Sequence, residues 1–365
     1  MTTVTLADLK GRVLPQNDYA QSPVIVFWET TRACALACVH CRASAIPQRH
    51  PLELSTEEGR TRVIDELASF PQRPILVLSG GDPLMRRDIL ELARYGVEHG
   101  LVVSLSPAAT ALSNGRNLAR VRETGVRHIS VSLDGSCPDT HDSFRGVAGS
   151  YERARQTVAV AREVGLSVQV NTTVTRRTRQ DLPAIAERVA EWGAVMWDVF
   201  FLVPTGRANT LVEDVLSPEE HEEVYTWLAD LAEGAPYRLK ATMGQPFRRV
   251  TLLREWRQHG FPQGDIRVPV STNDGKGVLF VSHVGEVFPS GFLPVCAGNV
   301  RTDSLVRVYQ ESALFRDLRD PSLLKGKCGL CPFNAVCGGC RARAYAMSGD
   351  MFAAEPCCPF MPPSA

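Results

Sequence analysis

The chain has 365 residues, 44% of them hydrophobic, and its 40 lysines and arginines balance 40 aspartates and glutamates. This length allows one large core or two unequal domains. The balanced charge excludes a global attraction to nucleic acid or to anionic membranes, and we expect neither partner. No apolar run approaches the roughly 18 residues of a membrane span, and residues 1–21, an N-terminal extension, lack a signal-peptide pattern.

Six short apolar runs alternate with segments that carry helix signals. Runs that are apolar on both faces fit the strands of a parallel sheet, joined by right-handed crossovers. We therefore predict an α/β fold, a partial (β/α)6 TIM-like barrel over residues 22–205. A doubly wound open sheet is the alternative. The runs cover residues 24–28, 75–79, 101–105, 128–133, 167–174 and 197–203.

The remaining 160 residues of the chain, 206–365, change character twice. Residues 206–264 are rich in charged helical segments, and we interpret them as a bridge between domains. Residues 265–365 turn to glycine, β-branched residues and cysteine, with a predicted β-hairpin around His283-Val284. We predict a small C-terminal cysteine-rich domain there. Eleven cysteines, clustered rather than scattered, indicate metal ligands in a reducing, cytoplasmic setting; a disulfide framework is the alternative.

The first cysteine cluster directly follows the first predicted strand, with the spacing C-x3-C-x2-C at Cys34, Cys38 and Cys41. A structural zinc ion normally has four ligands, whereas iron–sulfur clusters are held by thiolates. Three thiolates on a four-iron cluster leave one iron open to other ligands. Because these positions also share one face of a helix, three buried cysteines are the alternative. The motif resembles the signature of the radical S-adenosyl-L-methionine (radical SAM) enzymes.

That resemblance implies a SAM site at the carboxyl ends of the strands. Gly80-Gly81-Asp82-Pro83 resembles the family's G-G-E-P element, with aspartate in place of glutamate, and the serine of Ser132-Leu133-Asp134-Gly135 and the amide of Asn171 match further SAM contacts. The implied cofactors are a 4Fe-4S cluster and SAM, which is cleaved reductively to a 5′-deoxyadenosyl radical that abstracts hydrogen from an unactivated carbon. The implied electron donor is a protein such as flavodoxin or ferredoxin.

The last forty residues hold six of the eleven cysteines. Their spacing fits a zinc ribbon or an iron–sulfur site. The segment resembles the SPASM/twitch extension of radical SAM enzymes, and especially the haem-biosynthesis members that decarboxylate or trim tetrapyrrole propionates. This implies one auxiliary 4Fe-4S cluster, with Cys340 or Cys357 as alternative ligands and zinc as the alternative metal. The expected ligands are Cys328, Cys331, Cys337 and Cys358.

The sequence leaves the reaction open. Residues 201–207 and 289–294 also resemble the haem-biosynthesis group, but residues 243–249 lack the acidic and imidazole groups that the group carries before its double arginine. Cys296 stands alone, and a thiol near the barrel mouth would return hydrogen to a substrate radical. We therefore expect a small-molecule or peptide substrate, a sugar-bearing or peptide natural product, with epimerisation through Cys296 as catalytic residue. Oxidative decarboxylation of a haem precursor or sugar acid, peptide maturation, and a non-enzymatic iron–sulfur or zinc scaffold are the alternatives.

Overall fold

The computed structural model describes residues 9–362. Its main feature is a ten-stranded sheet in the order β12-β11-β10-β2-β3-β4-β5-β6-β7-β8, and a separate parallel pair joins β1 to β9. The strands are β1 Val13–Pro15, β2 Ile25–Glu29, β3 Ile75–Ser79, β4 Val102–Leu105, β5 His128–Ser132, β6 Ser167–Val174, β7 Met196–Phe201, β8 Arg238–Thr242, β9 Ile266–Val268, β10 Val278–Val281, β11 Glu286–Phe288 and β12 Gly298–Asn299.

The six strands β2 to β7 are the six predicted ones, and neighbours pair in parallel throughout. Strands β3 and β6 have the predicted bounds, and the other four differ from them by one or two residues at an end. The predicted α/β barrel class is confirmed. In β6, Val168 and Val170 are buried in the core, whereas Asn171 and Thr173 alternate with them and line a cavity. This alternation gives the barrel an apolar outer layer under the helices and a polar inner wall.

Helices cover the outer face of the sheet. Ser55 and Ser217 each form a capping box with the glutamate three residues later, Glu58 and Glu220, which fixes where two of the helices begin. The helices are α1 Thr56–Glu58, continued by π-helical Gly59–Ile64 into α2 Asp65–Ala68, α3 Ile89–Glu98, α4 Gly115–Glu123, α5 Pro138–Arg145, α6 Ser150–Glu163, α7 Leu182–Glu191, α8 Pro218–Leu231, α9 Pro246–His259, α10 Leu305–Glu311, α11 Ala313–Arg319, α12 Gly326–Leu330 and α13 Arg341–Ser348. Short 3-10 turns lie at Pro83–Met85, Arg179–Asp181, Gly206–Asp214 and Pro321–Leu323.

Strands from the later part of the chain extend the barrel sheet at both edges. Strand β8, within the segment interpreted as a helical bridge, pairs in parallel with β7. Strand β10 pairs in parallel with β2 and forms the predicted hairpin with β11. The C-terminal segment therefore packs directly against the first barrel strand, while the boundaries of the predicted domains stay predictions. In the part of the chain that the structure describes, no helix combines the length and apolar character needed to cross a membrane.

Candidate active site

The cysteine motif occupies an irregular loop beyond the carboxyl end of β2. Residues 34–41 form no helix, so the three cysteines do not lie on one helix face. The backbone N–H of Cys34 donates to the carbonyl of Ile46 at 2.8 Å, which folds the loop back on itself. This fold brings Cys34, Cys38 and Cys41 to the wall of one cavity. Burial raises the pKa of the Cys34 thiol to about 11, so its thiolate form requires a nearby positive charge such as a bound metal.

The glycine pair after β3 lines the same cavity. A Cβ atom on Gly80 would lie 2.3 Å from the carbonyl oxygen of Thr31, and one on Gly81 would lie 2.4 Å from that of Ala33. The N–H of Gly81 donates to the Thr31 carbonyl at 2.8 Å. The two glycines are therefore required for the loop after β3 to pack against the cysteine loop, in addition to their predicted role beside SAM.

Asp82, the next residue, supports this turn from behind. Its side chain is fully buried and accepts hydrogen bonds from Thr110 Oγ1 at 2.7 Å and from the N–H of Leu84 at 3.1 Å. Burial raises the pKa of this carboxyl. Asp82 does not line the cavity, so its geometry favours a positioning role over direct contact with a ligand.

Ser132 and Asn171 lie on the opposite wall. They are register partners on β5 and β6, and both line the cavity. Gln169 Nε2 donates to Asn171 Oδ1 at 2.7 Å, which fixes the orientation of the amide. The Nδ2 group of Asn171 then remains available as a donor, as a hydroxyl-bearing ligand such as a ribose requires. The cysteines, glycines, serine and asparagine predicted from the sequence thus surround one space.

A buried ion pair supports the cysteine loop from below. Arg145 Nη2 lies 2.6 Å from Asp134 Oδ2, and its Nη1 donates to Cys38 Sγ at 3.6 Å. His40 Nε2 lies 3.6 Å from the same carboxylate, and its ring stacks on Phe144 at 4.3 Å. Burial lowers the pKa of His40 to about 4, so the imidazole is neutral at pH 7. A guanidinium beside a cysteine sulfur is suited to a thiolate ligand.

Four cysteines of the C-terminal segment line a second cavity: Cys328, Cys331, Cys337 and Cys358. Each of three sulfurs has a donor directed at it. Arg341 Nη2 lies 3.9 Å from Cys328 Sγ, Arg249 Nη2 lies 3.8 Å from Cys358 Sγ, and the N–H of Gly339 lies 3.5 Å from Cys337 Sγ. Burial raises the pKa of Cys331 to about 12. Donors of this kind stabilise negatively charged sulfur, as around an iron–sulfur cluster.

The two alternative ligands have other surroundings. Cys340 caps helix α13, where its sulfur accepts from the N–H of Arg343 at 3.3 Å, and it packs against Met243 Sδ at 3.7 Å. Cys357 belongs to a small apolar cluster that includes Leu202 and Leu211. Neither residue lines the second cavity, so the geometry favours the four cysteines predicted as ligands.

Cys296 is exposed, and its thiol donates to the carbonyl of Gly298 at 3.3 Å. It lines neither cavity. Its role as a hydrogen donor stays a prediction, and its position gives that role no support. Sequence reasoning missed Arg207, which does line the first cavity; its position four residues after the predicted strand at residues 197–203 is a signal that could have found it.

Within residues 9–362, no three histidine, cysteine, aspartate or glutamate side chains are close enough together to hold a single metal ion. The assignment of both cysteine sets as ligands of multi-iron clusters therefore stays a prediction. A parallel barrel with three cysteines beyond its first strand and a glycine pair beyond its second is the architecture of a cluster-containing, SAM-binding enzyme.

Two sequence comparisons identify the family, and a comparison of structures agrees with the fold. The model of the radical SAM superfamily matches residues 28–189. The AdoMet-dependent heme synthases of Methanosarcina barkeri and Oleidesulfovibrio alaskensis are 41% and 40% identical to the chain, each covering 93% of it and 97% and 87% of their own lengths. The crystal structure of Streptococcus suis SuiB bound to its precursor peptide SuiA matches this chain with a TM-score of 0.71. The match covers 93% of this chain and 76% of the SuiB chain. At 14% sequence identity, this similarity concerns the fold alone.

The chain therefore belongs to the radical SAM superfamily, and its curated relatives include AdoMet-dependent heme synthases. A 4Fe-4S cluster and SAM are its cofactors, and the C-terminal cysteines fit an auxiliary cluster of the SPASM type. The family and these relatives support a radical SAM enzyme over the non-enzymatic scaffold considered from the sequence.

Proposed function

We propose that this enzyme is an AdoMet-dependent haem synthase that oxidatively decarboxylates propionate side chains of an iron tetrapyrrole. The observation that carries the proposal is 41% identity to a heme synthase over 93% of this chain and 97% of the relative. The reaction is one of the alternatives weighed from the sequence. The missing acidic and imidazole groups at residues 243–249, which lead into helix α9, count against it, but the identity over nearly the whole length of the relative outweighs this single stretch.

The composition of the first cavity supports an anionic substrate with an apolar body. Its charged lining residues include Arg42, Arg145 and Arg207. No aspartate or glutamate of the described chain lines it, although Glu29 and Asp134 pair with the first two arginines from outside the lining. Phe200 and Phe292 add aromatic surface to the same cavity. Guanidinium groups bind carboxylates, and aromatic rings pack against flat apolar rings. A tetrapyrrole with propionate arms combines both features.

The residues around the two cavities take complementary roles in this proposal. Cys34, Cys38 and Cys41 hold the 4Fe-4S cluster, and Gly80, Gly81, Ser132 and Asn171 bind SAM. When bound, this pair supplies a radical able to remove a hydrogen atom from an unactivated carbon. The protein orients the propionate arm toward that position and excludes water from it. The C-terminal cysteines hold the auxiliary cluster.

The atom and electron balance of the reaction requires an oxidant. A propionate arm becomes a vinyl group when one hydrogen atom leaves the carbon next to the macrocycle, the carboxylate leaves as carbon dioxide, and one further electron departs. Iron–sulfur clusters are one-electron carriers, and the auxiliary site would hold one. Redox-neutral epimerisation requires no such acceptor and needs a hydrogen donor in the cavity, whereas Cys296 lies outside the cavity lining. We therefore favour decarboxylation.

The test is product analysis with anaerobically reconstituted enzyme. The protein is incubated with SAM, a reductant and an iron porphyrin that carries propionates, and 5′-deoxyadenosine and the porphyrin mass are measured. We expect each modified arm to lose the mass of one carbon dioxide and two hydrogens. Cys34→Ala should abolish both products, and Cys296→Ala should retain them. Formation of 5′-deoxyadenosine without any change in the porphyrin, together with loss of activity in Cys296→Ala on another substrate, would overturn the proposal.

A further inference from the structure

Two of the three arginines in the cavity are already neutralised by the protein. Arg42 Nη1 lies 3.2 Å from Glu29 Oε2, and its guanidinium lies 4.5 Å from the ring centre of Phe280. Arg145 pairs with the buried carboxylate of Asp134 at 2.6 Å. The positive charges of these two side chains are therefore committed to structural partners.

Arg207 differs from both in its hydrogen bonds. Its Nε donates to the carbonyl of Cys38 at 2.9 Å and its Nη1 to the carbonyl of Ala45 at 3.0 Å, so both bonds go to neutral backbone groups. The Nη2 atom is buried and has no hydrogen-bond partner among the described residues. A buried guanidinium donor without a partner is costly, and a bound anion removes that cost.

The guanidinium is held in place before any ligand arrives. The backbone N–H of Arg207 donates to the carbonyl of Cys41 at 3.0 Å. Gly206 has φ +59°, and a Cβ atom there would lie 2.2 Å from the carbonyl oxygen of Arg42. Only glycine allows the segment after β7 to approach the cysteine loop this closely. Because the side chain is fixed by two further bonds, binding through Nη2 loses little conformational entropy.

The cavity wall near the end of β7 is apolar. Phe200 and Val203 belong to that strand end, and Phe292 completes the surface. The predicted SAM contacts Gly81 and Ser132 come from other strand ends, β3 and β5. A carboxylate on an apolar arm fits the surroundings of Arg207.

We propose that Arg207 is a specificity-determining residue whose Nη2 binds a carboxylate of the substrate. This inference rests on the proposed function, under which the carboxylate is a propionate of the tetrapyrrole. Arg207 is thereby assigned the recognition of the free acid, and the hydrogen bonds to the cysteine loop place the bound arm close to the cluster-binding cysteines.

The test compares one porphyrin as the free acid and as its methyl ester, binding to the reconstituted enzyme without turnover. Dissociation constants are measured by quenching of tryptophan fluorescence, alongside the SAM dissociation constant and the iron content. The wild type should prefer the free acid by about 10- to 100-fold, the range expected for one hydrogen bond to a charged group. Arg207→Gln should lose most of that preference. Because this substitution also removes the hydrogen bonds to the carbonyls of Cys38 and Ala45, the two proteins are compared after normalising to cluster-loaded enzyme.

Arg207→Lys provides the second variant, since it keeps the charge but not the fixed planar fork. It should show an intermediate preference, and in turnover it should raise KM for the porphyrin more than it lowers kcat. An unchanged preference for the free acid in Arg207→Lys and Arg207→Gln would overturn the inference while leaving the proposed function intact. A weakened affinity for SAM with unchanged porphyrin binding would overturn it in favour of the SAM carboxylate. Failure of the wild type to bind either porphyrin would refute the proposed function itself.

Discussion

The buried ion pair between Arg343 and Glu355 offers a quantitative test of how the auxiliary site is built. Both side chains are fully buried, and Arg343 Nε lies 2.9 Å from Glu355 Oε1. The second carboxylate oxygen accepts from the N–H of Cys340 at 2.6 Å. Although burial alone would raise the pKa of Glu355, the charge of Arg343 holds it below its usual value. The carboxylate therefore stays ionised and joins the segment before Cys358 to the loop after Cys337.

Glu355→Gln keeps the shape of the side chain and leaves the Arg343 charge buried without a partner. Removing one partner of a buried pair costs about 3–5 kcal/mol of unfolding free energy. The matched control is Glu152→Gln, which breaks an exposed pair with Arg155 and should leave the urea midpoint nearly unchanged. The N–H of Glu355 also donates to Cys328 Sγ at 3.2 Å. We therefore expect the variant to lose iron from the auxiliary site as well.

The assay is urea unfolding of reconstituted protein under anaerobic conditions, with iron counted before unfolding. Replacing both partners, Arg343→Met with Glu355→Leu, should recover part of the lost stability because no charge is then left unpaired. A Glu355→Gln protein whose urea midpoint is as close to that of the wild type as the Glu152→Gln control would show that the buried pair does not stabilise the fold.

Three further predictions concern single side chains. Gly81→Ala should lower iron content and SAM binding, because the added Cβ would lie 2.4 Å from a backbone carbonyl oxygen. The control Gly234→Ala should change neither, because no atom lies within 4 Å of the added Cβ. Equal iron content and SAM binding in the two variants would contradict this prediction. Burial lowers the pKa of His221 from 6.5 to about 4, so the unfolded chain binds the proton at a higher pH than the folded chain does. The free energy of unfolding therefore falls by up to about 3 kcal/mol as the pH drops from 6.5 to 4. His221→Phe should flatten that loss in urea midpoints measured across this range. Cys358→Ser should remove auxiliary iron and Cys340→Ser should not, and the reverse result would reassign the fourth ligand.

The barrel strands could be predicted from the sequence because they are short, nearly continuous apolar runs. Residues 76–78 and 129–131 are consecutive and buried, so both faces of the strand are covered, as in a parallel sheet with helices over it. Strand β8, Arg238–Thr242, escaped prediction because its residues are mostly half-exposed and polar at the sheet edge. An edge strand forms through pairing with its neighbour, and that pairing leaves no apolar pattern in its own sequence.

The sequence could predict the site residues that belong to a motif with a fixed spacing along the chain. Cys34, Cys38 and Cys41 lie in one short loop, so the sequence directly shows their separation along the chain. Their joint role can be inferred from that separation. Arg207 has no such pattern, because its importance depends on an unpartnered nitrogen in the folded cavity. A lone cysteine is equally uninformative. Cys296 suggested a hydrogen donor from its residue type, but the distance of a side chain from a cavity is a property of the fold.

The central claim, hydrogen abstraction from a propionate arm followed by loss of its carboxylate, has one direct test. The iron porphyrin is labelled with deuterium on the propionate carbon next to the macrocycle and incubated with reconstituted enzyme, SAM and reductant. If the enzyme follows this reaction, 5′-deoxyadenosine gains one deuterium and the porphyrin loses carbon dioxide from the same arm. Unlabelled 5′-deoxyadenosine, formed while the porphyrin keeps all its deuterium and all its carboxylates, would contradict it.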